Sequence, residues 1–509
     1  MTRYSTIHEL LQVGADEAPA IGAPERAPLS YRDLRALAEA TVTRLNALGI
    51  GRGDRVAIVL SNGPQMATGF VAIGAGATTA PLNPAYRAEE YEFYLSDLKA
   101  KALVIEQGLD NPAIGVAERL GIPVIDLVTA PEGPAGSFTL APRGAMAGTP
   151  DAGGFAKADD IALVLHTSGT TSRPKIVPLS EANISASARH IGATLGLAPQ
   201  DRCLNIMPLF HIHGLMAAVL SSLAAGASVV CTPGFNALKF FAWLDEVRPS
   251  WYTAVPTMHQ AILARAPRNA EIIPRSKLRF IRSSSSSLPP QVLKALEETF
   301  GAPVIEAYGM TEAAHQMASN PLPPGARRPG SVGLAAGPEV RIMDEAGQLL
   351  SPGEIGEVVI RGPDVTRGYD NNPTANASAF TNGWFRTGDQ GVIDAAGYLT
   401  LTGRLKEIIN RGGEKISPRE VDEILLDHPA VAQALTFAIP HSMLGEEVAA
   451  AVVVREGEEP SERELRDFCS KRLADFKVPR KIVFLAEIPK GATGKLQRIG
   501  LAAKLGLTG

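Results

Sequence analysis

Ile161-Ala162-Leu163-Val164-Leu165-His166, running into Thr167-Ser168-Gly169-Thr170-Thr171-Ser172-Arg173-Pro174-Lys175, is the stretch whose reading decides the fold. The first six residues are mostly apolar and branched, the pattern of a buried strand. The nine that follow are small, hydroxylated or basic. A polyphosphate needs many N–H and O–H donors and close backbone approach; Gly, Ser and Thr supply both, and a Lys adds charge. The stretch therefore reads as a strand delivering a triphosphate cradle, with Thr167, Ser168, Gly169, Thr170, Thr171 and Lys175 as its candidate contacts. A flexible Ser/Thr linker is the competing reading, and the strand before the loop and the Arg-Pro-Lys at its end weigh against it. A Walker A loop is excluded, because that motif needs Gly before the Lys and Ser or Thr after it. Here Pro174 precedes Lys175 and Ile176 follows.

Outward from this loop the same alternation repeats. Arg55-Val56-Ala57-Ile58-Val59-Leu60 reads as a buried strand, with a small-residue helix over 65–76, and Lys101-Ala102-Leu103-Val104-Ile105 as another strand. Ser228-Val229-Val230-Cys231, a helix over Phe240–Val247 and Trp251-Tyr252-Thr253-Ala254-Val255 continue the series. The pattern predicts an α/β fold with largely parallel sheets. The Gly-, Pro- and Ala-rich stretch 131–154 reads as a loop or subdomain joint. From about Val340 shorter strands and tight turns predict a small β-rich subdomain. After Gly403-Arg404-Leu405-Lys406 the texture changes again. The 509 residues exceed what one core sustains. The expected organisation is a large N-terminal domain over 1–405, of mostly parallel α/β sheets plus the β-rich subdomain, and a small mobile α+β C-terminal domain over 406–509.

The 49 basic and 53 acidic side chains leave a net charge of −4, which gives no footprint for nucleic acid. Cys203, Cys231 and Cys469 are odd in number and far apart, so they read as reduced core thiols and not as a disulfide framework or zinc site. No run of about 18 apolar residues suggests a membrane span, and no membrane partner is expected. Neither end carries a recognisable address. The expected location is cytoplasmic; the oligomeric state stays open between monomer and homodimer.

Six motifs in order resemble those of the adenylate-forming enzymes, the superfamily of acyl-CoA synthetases, luciferases and peptide-synthetase adenylation domains. The first is the 167–175 loop. Pro208-Leu209-Phe210-His211-Ile212-His213-Gly214 resembles the motif at the acyl pocket, and Glu306-Ala307-Tyr308-Gly309-Met310-Thr311-Glu312 the adenine and metal motif. Trp384-Phe385-Arg386-Thr387-Gly388-Asp389 resembles the ribose motif, Gly403-Arg404-Leu405-Lys406 the interdomain hinge, and Pro489-Lys490-Gly491-Ala492-Thr493-Gly494-Lys495 the catalytic-lysine motif. The family commonly has Gly where Ser172 and Ile176 stand. Ser at the first of these positions recurs in one subgroup, the oxalate–CoA ligases, which the chain also resembles over 282–288, 308–315 and 408–418.

The resemblance implies an AMP-forming acid–CoA ligase using ATP, Mg²⁺ and coenzyme A on a small carboxylic acid. It implies that Tyr308 stacks on adenine, Thr311 donates to a phosphate, Glu312 holds Mg²⁺, Asp389 accepts from the ribose hydroxyls and Arg404 contacts the ribose or phosphates. Lys495 would bridge carboxylate and α-phosphate during adenylation. The C-terminal domain would rotate at Lys406, and Gly412 and Gly413 would let the pantetheine arm pass. The run Arg282-Ser283-Ser284-Ser285-Ser286-Ser287, following a strand over 278–281, is polar and small, unlike a fatty-acid pocket. Ser285, His211 and His315 match positions that contact oxalate in the subgroup. Oxalate is therefore the expected acid, with malonate next and a medium-chain or aryl acid third. An adenylation domain acting on a carrier protein and a non-catalytic binding protein are the readings from other classes.

Overall fold

The computed structural model describes residues 4–167, 174–490 and 496–507. Among these, strands form four sheets, and the two largest build the N-terminal region. In the seven-stranded sheet Arg55–Val59, Thr78–Pro81, Ala102–Glu106, Val124–Thr129 and Ile161–His166 run parallel. Antiparallel strands Phe138–Pro142 and Ile176–Ser180 close its two edges. The nine-stranded sheet has a parallel centre of Arg202–Asn205, Ser228–Cys231, Trp251–Ala254, Phe280–Ser283 and Val304–Met310. The α/β expectation with largely parallel sheets holds. One detail is corrected: the stretch 131–154 is not all loop, since Phe138–Pro142 pairs with Val124–Thr129. Flanking Gly and Pro residues hid that strand.

Helix Pro64–Gly74 begins with Pro at its first turn and is buried almost throughout. It touches strands of both large sheets, which small side chains such as Ala67 and Gly69 allow. Residues His213–Leu220 wind as a π-helix, every one of them buried. Wide helix of this kind is rare and frequently found at functional sites. Helix Glu181–Thr194 starts with a reciprocal cap: Ser180 Oγ accepts from the Asn183 N–H, and Asn183 Oδ1 accepts from the Ser180 N–H.

The expected β-rich subdomain is an antiparallel sheet of Glu339–Met343, Ile355–Arg361, Phe380–Thr381, Trp384–Ile393 and Leu399–Arg404. A fourth sheet follows, made of Ile409–Arg411, Glu414–Ile416, Val431–His441, Gly445–Val454 and Lys481–Phe484. It has its own apolar core, including Val421, Leu425, Val448 and Leu465. Between the third and fourth sheets the chain makes one turn, in which the Glu407 and Ile408 N–H groups donate to Arg404 O at 2.8 and 3.0 Å. Lys406 is exposed in that turn.

Candidate active site

The 167–175 segment joins two antiparallel strands, Ile161–His166 and Ile176–Ser180. Its neck is closed by a reciprocal pair: the Thr167 N–H donates to Lys175 O at 2.9 Å and the Lys175 N–H to Thr167 Oγ1 at 3.3 Å. Ser168, Gly169, Thr170 and Thr171 lie outside the described residues, as does Lys495. The Lys175 ammonium stands 4.4 Å from the centroid of the Tyr369 ring. The Tyr369 hydroxyl donates to Glu312 Oε1 at 2.9 Å. Cation, ring and carboxylate thus form one row. Burial raises the Glu312 carboxyl above the usual range, while the Tyr369 hydrogen bond and the Arg404 and Lys175 charges pull the other way. Thr311 and Glu312 share a short 3₁₀ turn at the end of strand Val304–Met310. Tyr369 was not singled out from the sequence. It arrives because residues 363–370 lie on strand Ile176–Ser180, with the Asp370 N–H donating to Ile176 O at 3.0 Å and Thr366 Oγ1 to Pro178 O at 2.8 Å.

Tyr308, Asp389 and Arg404 meet in a second group. The Tyr308 hydroxyl donates to Asp389 Oδ2 at 2.5 Å, and Arg404 Nε donates to Asp389 Oδ1 at 2.8 Å. Asp389 and Arg404 face each other across an antiparallel pair, so sheet register itself sets the ion pair. The turn before Asp389 is held by Glu357 Oε1, which accepts from the Gly388 N–H at 2.9 Å, and by Thr387 Oγ1, which accepts from the Asp389 N–H at 3.1 Å. Burial and the Asp389 charge push the Tyr308 phenol upward, so it stays a donor. Asp389 strengthens the charge on Arg404.

The third group lies where the nine-stranded sheet meets the π-helix. Strand Phe280–Ser283 extends two residues further than the sequence suggested, so Arg282 ends up inside the sheet and not in a loop. Its side chain is fully buried. Among the described residues it has no ion-pair partner. Arg282 Nη1 lies 3.2 Å from His315 Nε2 and 3.5 Å from both His213 Nε2 and Thr253 Oγ1, and Nη2 donates to Gln316 Oε1 at 3.2 Å. His213 bonds Ser285 Oγ through Nδ1 at 3.0 Å and Thr253 Oγ1 through Nε2 at 2.6 Å. The His213 and His315 rings stack at 4.9 Å. Burial lowers the Arg282 guanidinium to about 9, still charged at neutral pH.

Two residues singled out from the sequence, Ser285 and His315, have positive φ, at 73° and 101°. Such backbone is costly for L side chains and gathers at ligand sites. Gly309 permits the conformation at His315: a Cβ there would lie 1.6 Å from His315 O. His211, the third expected contact, is half-buried and its ring lies 5.9 Å from that of Phe210. The imidazole that bonds Ser285 is His213, two residues on. Its signal was the second His of His211-Ile212-His213. For Arg282, the signal was a charged residue interrupting an apolar strand.

On the C-terminal side Gly412 and Gly413 make the two-residue turn between Ile409–Arg411 and Glu414–Ile416, with φ of 60° and 98°. A turn with positive φ at both positions is open to Gly and strained for most other residues. Lys490 and Leu496 pair as an antiparallel bridge. Arg498 then anchors this end: Nε bonds Glu407 Oε2 at 3.1 Å, Nη2 bonds Asp422 Oδ2 at 2.9 Å, and Nη1 donates to Thr436 O. Cys203, Cys231 and Cys469 are all buried, and burial raises Cys231 to about 12 and Cys469 to about 11. None is poised as a nucleophile.

Residues 12–370 match the family described as AMP-binding enzyme, and residues 420–495 the AMP-binding enzyme C-terminal domain. An oxalate–CoA ligase of Arabidopsis thaliana is 47% identical over 503 residues, covering 97% of each chain. An oxalate–CoA ligase of Saccharomyces cerevisiae is 43% identical over 470 residues, covering 88% of this chain and 86% of that one. The crystal structure of ATP-bound MatB from Rhodopseudomonas palustris superposes with a TM-score of 0.87 at 29% identity, covering 98% of this chain and 99% of that one.

Proposed function

Because the chain belongs to the AMP-binding enzyme family and is an AMP-forming acid–CoA ligase, we propose that its acid is oxalate and that Ser285 and His315, backed by His213 and Arg282, hold the carboxylate that does not react. The observation that carries this reading is the buried polar group around Arg282. A long-chain acid would meet a charged guanidinium, two imidazoles and a hydroxyl where it needs apolar walls. A short dianion meets donors. Relatives named as oxalate–CoA ligases support the same acid.

The enzyme uses ATP, Mg²⁺ and coenzyme A. Among the described residues no cluster of three or more His, Cys, Asp or Glu side chains forms a cage for a metal ion. Glu312 fits a Mg²⁺ bound by one carboxylate together with phosphate oxygens. When bound, the ion screens the negative charge of the phosphates. In our reading Thr167, Thr311 and Lys175 hold the phosphates, Tyr308 lies against adenine, and Asp389 accepts from the ribose hydroxyls beside Arg404. The reacting carboxylate of the acid attacks the α-phosphorus and pyrophosphate leaves; the thiol of coenzyme A then attacks the acyl carbon and AMP leaves. Lys175 and Lys495 offset the repulsion between two anions in the first step. His211 contacts the acid with Ser285 and His315 in the same reading. The domain boundary falls at Lys406, where a single turn joins two sheets with separate cores, and the turn at Gly412 and Gly413 flanks the pantetheine path. No helix among the described residues is long and apolar enough to cross a membrane.

The test presents ATP, Mg²⁺ and coenzyme A with oxalate, malonate, acetate, octanoate or coumarate, following pyrophosphate and thioester. Thioester dominated by oxalate is expected. A preference for malonate or octanoate overturns the assignment of the acid while leaving the enzyme class in place.

A further inference from the structure

A guanidinium has five N–H donors and no acceptor. Whatever it touches must accept. Arg282 therefore sets a direction on every hydrogen bond beyond it. Its two Nη1–H groups face His315 Nε2 at 3.2 Å and, at 3.5 Å, the pair Thr253 Oγ1 and His213 Nε2. His315 Nε2, at 3.2 Å, must turn its lone pair to it, because an Nε2–H would place two donors face to face; the same charge, 3.5 Å from His213 Nε2, favours a lone pair there too. Thr253, accepting from Arg282, then donates its own O–H to the single lone pair of His213 Nε2 at 2.6 Å. His213 then carries its proton on Nδ1 and donates it to Ser285 Oγ at 3.0 Å. Ser285, with its oxygen so engaged, directs its O–H outward.

We propose that Arg282 is a positioning residue that polarises this chain from Thr253 through His213 to Ser285, so that Ser285 offers a proton and selects an acid whose far end only accepts, a carboxylate. The inference rests on the acid site described above and deepens it by naming what tunes it. Without the guanidinium the chain can reverse: His213 Nε2–H donates to Thr253, Nδ1 accepts from Ser285, and Ser285 then offers a lone pair that suits an amide. The groups around this chain are Arg282 on one strand, Thr253 on the next, His315 and Gln316 on the antiparallel strand, His213 on the π-helix, and buried His259 and Cys203. Among the described residues none of these is a carboxylate; the buried Glu306 carboxyl stands in register with Ser283, on the other face of the sheet from Arg282.

The experiment records ¹⁵N imidazole spectra of His213 and His315, without acid, in the unaltered protein and in Arg282→Met and Arg282→Lys. It pairs them with kcat/KM for oxalate and for oxamate, in which an amide replaces one carboxylate. Expected in the unaltered protein are two neutral rings protonated on Nδ1. Arg282→Met should show His213 protonated on Nε2 or exchanging between tautomers, with oxalate kcat/KM down roughly 10- to 100-fold, oxamate falling far less, and KM for ATP within about twofold. Arg282→Lys, which keeps donors and charge, should restore the Nδ1 tautomer. An imidazolium or an Nε2–H tautomer at His213 in the unaltered protein overturns the proposal even if no variant folds. So does an unchanged His213 spectrum in a folded Arg282→Met. If the unaltered enzyme prefers another acid while the tautomers are as stated, the assignment of oxalate fails and the role of Arg282 stands.

Discussion

Asp389→Asn is the most informative single substitution, because it changes charge with almost no change in shape. Asp389 accepts from the Tyr308 hydroxyl on one oxygen and from Arg404 Nε on the other. Arg404 has donors alone, so the amide oxygen of Asn must turn to it, and the amide NH₂ then faces Tyr308. The phenol loses its acceptor. Hydrogen bonds to charged groups contribute about 1.5–3 kcal/mol each. The Arg404 side chain is 40% exposed, so its ion pair is partly screened and the fold should lose only about 1–2 kcal/mol. The effect on nucleotide binding should be larger. If the carboxylate takes the ribose hydroxyls, losing one charged acceptor raises KM for ATP roughly 10- to 150-fold. Pyrophosphate release at saturating acid, with ATP varied, measures this, and thermal unfolding measures the other. KM for oxalate should stay within about twofold. A variant with lowered Tm and unchanged KM for ATP would refute the reasoning and leave Asp389 as a brace for Arg404 alone.

Two further outcomes follow from the geometry. Gly309→Ala drives a methyl into the backbone carbonyl of His315, which no rotamer change relieves; we expect a loss of about 3 kcal/mol or more in chemical denaturation. Glu181 is fully buried and its carboxyl is raised to about 8, with Oε2 accepting from the Ile7 N–H at 2.7 Å. Above the unfolded value of 4.5 the unfolded chain has released this proton while the folded chain keeps it, so stability falls as pH rises from 4.5 towards 8. Glu181→Gln should flatten that slope in denaturation curves taken at pH 5, 6.5 and 8, and an unaltered slope would assign it to other groups.

Legibility followed locality. The buried strand and its donor-rich loop could be read from adjacent residues, as could the turn at Gly412 and Gly413. The row of Lys175, Tyr369 and Glu312 could not, because it depends on residues 363–370 lying on a distant strand. Nor does spacing decide between His211 and His213. The π-helix starting at His213 points that ring at Thr253 and Ser285, and nothing in a three-residue motif announces a change of helical pitch. The run of five serines hid Arg282 in the same way: it looked like the start of a loop, and the sheet continues through it. Pairing of Asp389 with Arg404 needed only a hairpin register, yet register is a tertiary fact that the two motifs, read separately, do not contain.

The buried charge of Arg282 also constrains how such a site can change over evolutionary time. A guanidinium in the interior is tolerable only while Thr253, His213, His315 and Gln316 take up its protons. Replacing an acceptor first leaves a cation stranded; replacing Arg282 first leaves polar groups facing one another in an apolar wall. Either single step leaves buried polar groups without partners, so a change of acid at this site calls for replacements made together, and the cluster behaves as one unit of specificity and not as a set of separable contacts.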